Sequence, residues 1–302
     1  MIETFRAEPL DMKLVCDNIV SGIARYVNDN KLKCCVIGLS GGIDSTVCAA
    51  LCRLAKVPLI GVSLPCSTNE ACEKSAASLA GVEFCDSFKE VNLESMFTAM
   101  KNFCDKSVSE MDSTPISQGN IKARLRMITL YDIASKSNGI VIDSDNLTEN
   151  FLGFWTLKGD EGDFNPIGGL WKHEVYALAR YLKENYFKES KALSESIALM
   201  PTDGNGVKEG GDLAQIAPNK TYDDVDEILM AWVGLDPRIK ETVLNSDFNY
   251  AHFKVLCEKH GKDIVKGVVM RSVRSGFKRK QRPIVIDVYR GLICEKNGNI
   301  IV

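Results

Sequence analysis

The sequence predicts an α/β fold built on a doubly wound parallel sheet with helices on both faces. Short apolar runs of strand length alternate with longer stretches of helical period, which is typical of parallel sheets. The runs 34–39 and 139–143 are almost continuously apolar, as in strands that helices cover on both faces. A polar or glycine-rich segment follows each of these two runs. Open α/β sheets bind ligands at the carboxyl ends of their strands, so we expect the functional site there.

Each element follows from a local pattern. Apolar residues at helical spacing behind Asp11, a residue that caps helices well, predict a first helix. Apolar and β-branched runs predict strands, and the periodic stretches between them predict helices. The predicted order is helix 11–28, strand 34–39, helix 46–55, strand 59–64, helix 70–80, a strand starting at 82–84, helix 92–104, loop 105–118, helix 121–135 and strand 139–143. From residue 172 onward the pattern is helical.

Residues 1–283 are interpreted as a single domain, since the sequence shows no internal repeat and no tract of low complexity. Within this domain, residues 201–220 carry four glycines and no apolar period, which predicts either a lid that orders over a ligand or a connector. The remaining tail, 284–302, has Asn297-Gly298 between apolar runs and predicts a small hairpin.

The composition restricts the class of protein. Of the 302 residues, 45% are hydrophobic and 25% charged, and the net charge of −3 does not indicate a nucleic-acid partner. No stretch approaches the roughly 18 apolar residues of a membrane helix, and the first residues predict no secretory signal. The eleven cysteines are odd in number and form no C-x-x-C pair, which predicts reduced thiols and a cytoplasmic protein. A zinc site is the alternative, but three histidines without paired spacing do not favour it.

The most informative segment is SGGIDST, residues 40–46, between the first strand and the second helix. Backbone N–H groups and the positive end of the helix dipole make such a turn an anion site. Gly41 and Gly42 let the main chain approach a phosphate, and the hydroxyl side chains add donors. The carboxylate of Asp44 fits beside phosphates mainly if a divalent metal lies between them. The alternative is a glycine-rich turn that binds no ligand.

This segment is neither of the common nucleotide loops, because it lacks the Lys of G-x-x-x-x-G-K-[ST] and is not G-x-G-x-x-G. It resembles the pyrophosphate loop of the ATP pyrophosphatases, which split ATP between its α and β phosphates and adenylate a substrate. Four further stretches narrow the resemblance: GNIKARLRM at 119–127, DNLTENFLGFWT at 145–156, GDEG with a following LWK at 159–172, and Pro201-Thr202 with Thr221-Tyr222-Asp223. In this order they resemble the ammonia-dependent NAD synthetases, over about residues 11–283.

The resemblance implies an adenine nucleotide alpha hydrolase-like fold and a ligase of NAD biosynthesis. ATP would adenylate the nicotinate carboxylate of deamido-NAD with release of pyrophosphate, and ammonia would then displace AMP. Mg²⁺ would be the cofactor, and a homodimer is expected because the family builds its substrate site at the subunit interface. Glutamine-hydrolysing relatives carry a large amidase domain before the first strand; the segment there is short in this chain, so we expect ammonia as the substrate.

The resemblance also implies roles for individual residues. Asp44 and Glu149 would bind magnesium, and the expected catalytic residues are Asp44, Lys172 and Thr202. The expected ATP contacts are Gly38, Leu39, Ser40, Gly41, Gly42, Ile43, Asp44, Ser45, Thr46, Ser144, Lys172 and Thr202. The expected deamido-NAD contacts are Arg124, Lys158, Asp163, Phe277 and Lys278. Without the family motifs around them, the charged residues in these sets would be interpreted as solvated surface groups.

The chain departs from the family pattern at several positions. Asp143-Ser144 replaces the usual Gly-Thr, so that Asp143 would add either a metal ligand or a water-bridged contact. Leu157 replaces a Lys, and Phe277-Lys278 replaces His-Lys. A basic run surrounds the latter pair; its cations are Arg271, Arg274, Lys278, Arg279, Lys280 and Arg282. This run is either a solvated surface or part of a site for a phosphate-rich ligand.

Two other functions stay open at this point. One is a different adenylating ATP pyrophosphatase, which would amidate or thiolate another acceptor. Relatives that thiolate tRNA typically show paired C-x-x-C motifs and a nucleic-acid-binding appendage, and neither is present here. The other is an adenine-nucleotide sensor without catalysis, which would lack the metal carboxylates and the lid.

Overall fold

The centre of the computed structural model is a parallel sheet of four strands. The structure describes residues 9–66, 71–107, 111, 113–199 and 213–280, together with the backbone of two short strands near the end of the chain. The sheet strands are β1 Cys34–Gly38, β2 Leu59–Ser63, β3 Ser87–Glu90 and β4 Gly139–Ile142, in the order β3-β2-β1-β4. Residues of β1 pair in parallel register with both neighbours, so the loop that leaves β1 lies centrally at the carboxyl edge.

Helices cover the sheet and extend beyond it. In chain order they are α1 Met12–Asp29, α2 Ile43–Leu54, α3 Ala71–Phe84, α4 Glu94–Ser107, α5 Pro115–Ser137, α6 Leu147–Leu152, α7 Lys172–Asn185, α8 Lys191–Ala198, α9 Tyr222–Val233, α10 Pro237–Asn245, α11 Ala251–His260 and α12 Lys262–Arg274, followed by a 3-10 helix at Ser275–Arg279. The predicted cap of α1 is confirmed, because the Asp11 carboxylate accepts hydrogen bonds from two backbone N–H groups of the first turn. Among the described residues, no helix is both long and apolar enough to cross a membrane.

Alternate residues of β1 face opposite layers of helices. Cys35 and Ile37 are buried in the core that α1, α2, α3, α7 and α8 build on one face. Cys34 and Val36 are buried on the other face against α5. A strand buried on both faces requires apolar residues at every position, which explains the continuous apolar run in the sequence. The predicted doubly wound α/β sheet is therefore confirmed.

A second core lies beyond the sheet and consists of helices. The side chains of α6, α9, α11 and α12 pack together there around Trp171, which is fully buried. Helix α6 follows β4 directly, and α7 packs against both the sheet helices and α9. The amino-terminal ends of α6 and α7 are therefore placed where the two cores meet.

Two predicted boundaries are wrong. The third strand does not start at residue 82, because α3 continues to Phe84 and the strand begins only at Ser87. Val82 is 77% exposed, whereas Phe84 is buried against Phe187 with the ring centroids 5.1 Å apart. The predicted loop 105–118 is also too long: α5 begins at Pro115, a residue tolerated in the first turn of a helix.

The segments at 201–220 and 284–302 are described only in part. Residues 200–212 lie outside the described residues, whereas Leu213 and Ala217 are buried in the helical core, so the end of the predicted lid is anchored. In the tail, β5 Val285–Ile286 pairs antiparallel with β6 Ile293–Cys294. The predicted turn at Asn297-Gly298 follows this pairing and lies outside the described residues.

Candidate active site

The loop between β1 and α2 has the local geometry of an anion site. Gly41 has a φ of +87°, and a Cβ built there would lie 2.2 Å from the carbonyl oxygen of Glu73, so the position requires glycine. Gly42 is the N-cap of α2 and carries no side chain that would cover the helix end. Free N–H groups at the start of a helix and its dipole favour a negatively charged ligand there.

Hydroxyl groups hold this loop together. The Ser40 hydroxyl accepts a hydrogen bond from the Gly42 N–H at 3.1 Å and lies 3.2 Å from the Ser45 hydroxyl. The hydroxyls of Ser45 and Thr46 donate to the Gly42 carbonyl at 3.2 and 2.9 Å. The segment predicted to contact ATP, Gly38 to Thr46, runs from the last residue of β1 through this turn into the first turn of α2, at the carboxyl edge of the sheet.

Three charged residues from separate elements converge beside this turn. Asp44 belongs to the first turn of α2, Glu149 to α6, and Lys172 is the first residue of α7. The Lys172 ammonium donates to Asp44 Oδ2 and, at 3.2 Å, to Glu149 Oε1. Residues far apart in the sequence thus meet, and two carboxylates carry one more charge than the single ammonium balances.

The Lys172 side chain is only 3% exposed, so its charge must be satisfied by the protein. Burial by itself lowers the pKa of Lys172, but the Asp44 and Glu149 carboxylates outweigh it and raise the pKa well above the ordinary value. The ring of Tyr222, from α9, has its centroid 5.4 Å from the Lys172 Nζ and adds a further favourable contact with the cation. Lys172 is therefore an ammonium ion throughout the physiological range.

Asn146 completes the cluster and was assigned no role from the sequence. Its side-chain amide donates to Asp44 Oδ1 at 2.9 Å, and it is fully buried. It is also the N-cap of α6, where its Oδ1 accepts from the Glu149 N–H at 3.0 Å and the Glu149 carboxylate accepts from the Asn146 N–H at 3.2 Å. Asn followed three residues later by Glu is a capping-box pattern that was readable in the sequence.

The donor set fits a divalent cation. Asp44 and Glu149 both bond the same Lys172 nitrogen, so the two carboxylates lie within reach of a single cation. Carboxylate oxygens are ligands that Mg²⁺ prefers, usually one or two of them together with phosphate oxygens and water. Among the described residues, no three His, Cys, Asp or Glu side chains are grouped to hold a metal alone, so phosphates would have to complete the coordination.

The carboxylates that follow β4 lie close to this cluster. The Asp143 carboxylate accepts a hydrogen bond from the Asp145 N–H at 2.7 Å, and Ser144 lies half-buried between them. Burial raises the pKa of Asp143 to about 6; hydrogen bonds from the Asp145 and Gly162 N–H groups oppose this, and the Glu161 and Asp160 charges add to it. Burial and then the Asp143 charge raise the pKa of Asp145 as well.

The residues predicted to contact deamido-NAD lie around α5 and the loop 153–163. Arg124 is exposed on α5 and donates to the Leu157 carbonyl at 3.1 Å. The exposed Lys158 has a φ of +58°. The Asp163 carboxylate accepts from the Tyr131 hydroxyl at 2.8 Å, two turns along α5 from Arg124. Phe277 is 53% exposed.

Several cations of the basic run donate hydrogen bonds to backbone carbonyls of the protein. The Lys278 ammonium donates to the carbonyl of Gly153 at 2.8 Å and to that of Trp155. Arg271 donates to the Leu152 carbonyl at 2.7 Å, and Arg279 donates to the Phe151 carbonyl at 2.9 Å. These carbonyls belong to the end of α6 and the residues after it, where cations stabilise the negative end of a helix. This is a third role for the run, which the sequence did not suggest.

Thr202, the remaining predicted site residue, lies outside the described residues. Two further residues near the site were not singled out in the sequence: Thr148 donates to Asp226, and both are fully buried next to Lys172. His173, beside Lys172, pairs with Asp226 at 2.9 Å between Nδ1 and Oδ2, which is a contact within the protein.

Comparison with known proteins identifies relatives over most of the chain. The family model described as NAD synthase matches residues 15–269. An NH(3)-dependent NAD(+) synthetase of Campylobacter jejuni is 34% identical over 187 residues, which make up 60% of this chain and 73% of that protein. The protein of the same name in Fusobacterium nucleatum is 28% identical over 286 residues, which make up 93% of this chain and 98% of that protein.

Solved structures agree with this relationship. The NH3-dependent NAD synthetase of Campylobacter jejuni, solved with a nitrate ion, superposes with a TM-score of 0.62 at 25% identity, covering 92% of this chain and 100% of that chain. The NMN synthetase of Francisella tularensis superposes with a TM-score of 0.71 over 91% of this chain and 98% of that chain. At 23% identity, the latter likeness shows the fold alone.

Proposed function

Because the chain belongs to the NAD synthase family, in which ligases make NAD from ammonia with ATP, we propose that it acts in two steps at one site. The first step is adenylation of the nicotinate carboxylate of deamido-NAD, and the second is displacement of AMP by ammonia. The observation that carries this proposal is the convergence of Asp44, Glu149 and Lys172 beside the glycine turn at the start of α2.

The two steps balance as follows. A carboxylate oxygen of the nicotinate attacks the α-phosphorus of ATP, and the bond to the bridging oxygen breaks with release of pyrophosphate. Ammonia then attacks the acyl carbon of the adenylate, the carbon–oxygen bond to AMP breaks, and the nitrogen loses one proton. Adenylation is needed because a free carboxylate has no good leaving group, whereas AMP leaves readily.

In this proposal the segment from Gly38 to Thr46 binds the phosphates of ATP, with Ser144 and Thr202 as further contacts. The N–H groups at the start of α2 and the Lys172 ammonium stabilise the negative charge that develops on the departing pyrophosphate. The Lys172 side chain is only 3% exposed, and a charge shielded from water in this way interacts more strongly with the departing group than it would in water.

Asp44 and Glu149 would hold Mg²⁺, which neutralises phosphate charge when bound. Without a divalent ion or an ammonium between them, the two carboxylates would repel the triphosphate. We propose that deamido-NAD contacts the residues predicted for it from the sequence, which are Arg124, Lys158, Asp163, Phe277 and Lys278. The Lys278 ammonium donates hydrogen bonds to the Gly153 and Trp155 carbonyls. Its proposed role is therefore to shape the loop against which the substrate lies.

We also propose that the protein works as a homodimer in the cytoplasm. The homodimer is supported by the resemblance and by α4, whose exposed Met96, Met100 and Phe103 recur at the spacing of one helix face. Large apolar side chains exposed on one face are typical of an interface. Sedimentation of the purified protein tests it, and an active monomer would contradict it.

The proposed activity is tested with ATP, Mg²⁺, ammonium and deamido-NAD, following NAD through a coupled dehydrogenase. A parallel reaction replaces deamido-NAD with nicotinate mononucleotide. Formation of NAD together with equimolar AMP and pyrophosphate supports the proposal. Turnover of the mononucleotide alone would instead assign amidation of a different acceptor.

Two variants test the proposed metal ligands. Asp44→Asn and Glu149→Gln keep the side-chain volume, and we expect each to lower the rate of pyrophosphate release by at least about 100-fold, because one metal ligand is lost. Asp132→Asn, at an exposed ion pair on α5, is the matched control and should retain the wild-type rate. Pyrophosphate release near the wild-type rate in either site variant would contradict the metal assignment.

A further inference from the structure

Helix α7 begins with the site residue Lys172, and its N-cap side chain makes no capping hydrogen bond. The Glu174 carboxylate accepts the Trp171 N–H at 2.8 Å, but this leaves the first N–H groups of the helix to other acceptors. Its N-cap residue is Trp171, and an indole has an N–H donor but no acceptor for backbone N–H groups. The first N–H groups of a helix have no partner within the helix and usually bond Ser, Thr, Asp or Asn at the N-cap. The start of α7 is buried, so these N–H groups need acceptors from elsewhere in the protein.

Two residues of other helices supply those acceptors. The Thr148 hydroxyl, from α6, accepts the Lys172 N–H at 2.9 Å, and Asp226 Oδ2, from α9, accepts the His173 N–H at 2.9 Å. The Thr148 hydroxyl in turn donates to Asp226 Oδ1 at 2.5 Å. Thr148 and Asp226 are fully buried, so the acceptors of these hydrogen bonds are shielded from water.

We infer that Thr148 and Asp226 together form a tertiary cap that positions Lys172 for the reaction. This inference rests on the proposed function, in which Lys172 faces the phosphates of ATP. The cap fixes the backbone of the first turn of α7, and the Lys172 side chain then extends to Asp44 and Glu149. Thr148 directly precedes Glu149 in α6. Its bond to the Lys172 N–H therefore also holds the backbone next to Glu149 against the start of α7.

The cap also links the site to α9. Tyr222 and Asp226 are four residues apart on α9 and so lie on the same face of that helix. Tyr222 contacts the far end of the Lys172 side chain through its ring, and Asp226 accepts the N–H of His173, the next residue along α7. A displacement of α9 would therefore shift both the ring that faces the Lys172 ammonium and the backbone next to Lys172. Misplacement of a reacting group by about 1 Å can cost roughly 100-fold in rate.

The test compares variants that remove or keep the cap. Thr148→Val keeps the shape and loses the hydroxyl, whereas Thr148→Ser keeps the hydroxyl. Asp226→Asn has a single acceptor oxygen, so either the Thr148 hydroxyl or the His173 N–H loses its partner. The matched control is Glu83→Gln: the Glu83 carboxylate likewise caps a helix from a distance, accepting from the Ser190 hydroxyl and from the Lys191 and Ala192 N–H groups of α8.

Two measurements are made at a temperature where circular dichroism shows every variant folded. The first is kcat and KM for deamido-NAD in NAD formation, and the second is the affinity for α,β-methylene-ATP with Mg²⁺ by calorimetry. We expect Thr148→Val and Asp226→Asn to lower kcat by about 10- to 100-fold and to weaken binding of the analogue, with KM for deamido-NAD within about threefold. Thr148→Ser and Glu83→Gln should stay within about threefold of wild type in both measurements.

The inference is overturned if Thr148→Val keeps the wild-type kcat and analogue affinity, or if Glu83→Gln loses as much of both as Asp226→Asn. In the latter case the effects would reflect general stability. Absence of NAD formation in the wild-type protein would contradict the proposed function separately. The analogue affinities of the valine and serine variants then still decide whether the cap positions Lys172.

Discussion

The side-chain amide of Asn146 donates a hydrogen bond to Asp44 Oδ1 across 2.9 Å, although 102 positions separate the two residues in the sequence. The contact exists because β1 and β4 are neighbours, so the segments that follow them meet at one edge of the sheet. Asn146 thereby combines two functions, as the cap of α6 and as the partner of a site carboxylate. The two functions are separable by mutation.

Asn146→Ser should separate them. Serine caps a helix about as well as asparagine, so the loss of unfolding free energy should be limited to that of the bond to Asp44, about 1 kcal/mol. Its hydroxyl is too short to serve the Glu149 N–H and Asp44 together, so we expect kcat for NAD formation to fall about 10-fold. Urea denaturation and steady-state kinetics measure both quantities. A serine variant with wild-type kcat would show that the bond to Asp44 has no part in catalysis.

Lys172→Met should destabilise the ligand-free protein, because it leaves two adjacent carboxylates without their counterion. Breaking a buried ion pair in this way costs about 3 kcal/mol. The raised pKa of Lys172 means that its contribution is fully present below the ordinary pKa of 10.5 and is lost only as pH rises through the higher folded-state value. The difference between wild type and variant should therefore be constant from about pH 6 to pH 9.

The control for this prediction is Lys259→Met. Lys259 also pairs with a carboxylate, that of Glu227 at 2.7 Å, but the two side chains are 57% and 42% exposed. Exposed pairs contribute about 1 kcal/mol or less. Equal losses of unfolding free energy in the two variants would contradict the account of Lys172 as a buried, compensated charge.

Gly41→Ala should destabilise the protein and abolish nucleotide binding. A left-handed φ costs a residue with a Cβ about 1–2 kcal/mol, and the added methyl group would also overlap the Glu73 carbonyl, so we expect a loss of about 2–4 kcal/mol. Gly22→Ala is the control: a Cβ added at this position of α1 would meet no atom within 4 Å, so the variant should gain about 0.5–1 kcal/mol. Thermal unfolding with and without ATP measures both, and a Gly41→Ala protein as stable as wild type would refute the strain argument.

Local patterns predicted those parts of the fold that depend on local forces. The turn from β1 into α2 could be located because its strand, its glycines and its helix are adjacent in the sequence. The start of β3 could not, because Val82-Glu83-Phe84 has the composition of a strand. Phe84 stays helical because it lies on the same face as Ala77 and Ala80 and packs against Phe187, a contact between distant segments.

The same distinction applies to the site. The grouping of Asp44, Glu149 and Lys172 was expected only from the family resemblance, since no local pattern relates residues on three separate elements. The basic run was ambiguous for a related reason. The partners of Arg271, Lys278 and Arg279 are backbone carbonyls at the end of α6, which charge patterning cannot reveal.

Asp143→Asn should stabilise the protein in a pH-dependent way. The folded-state pKa of Asp143, about 6, lies above the ordinary value of 3.8, so the folded protein binds this proton more tightly than the unfolded chain. Ionisation of Asp143 therefore destabilises the fold as pH rises from about 4 to 6, and the full cost applies above pH 6.

Asparagine keeps one acceptor oxygen, for the Asp145 N–H, and carries no charge; a lost bond from the Gly162 N–H would add a cost that does not depend on the ionisation of residue 143. The unfolding free energy of the variant minus that of wild type should thus increase between pH 4 and pH 7, as measured by urea denaturation in Mg²⁺-free buffer. A difference in unfolding free energy that is independent of pH would contradict the raised pKa of Asp143.

The last prediction concerns what the basic run does. Arg279 donates to the Phe151 carbonyl at 2.9 Å and to the Ser272 carbonyl at 2.7 Å, and its guanidinium stacks over the Phe151 ring. Hydrogen bonds of a charged group to buried carbonyls are worth about 1.5–3 kcal/mol, so Arg279→Ala should lower the unfolding free energy by about 2–3 kcal/mol. Arg274→Ala, at an exposed position of the same run, should change it by less than about 0.5 kcal/mol.

Kinetics complete the comparison. If Arg279 holds the end of α6, Arg279→Ala should lower thermal stability while KM for deamido-NAD stays within about threefold of wild type below the unfolding transition. If the arginine instead bound a phosphate of the substrate, the variant would keep its stability and KM would rise, since a charge-assisted contact to the ligand would be lost. Because the two accounts predict opposite changes in stability and KM, this pair of variants decides between them.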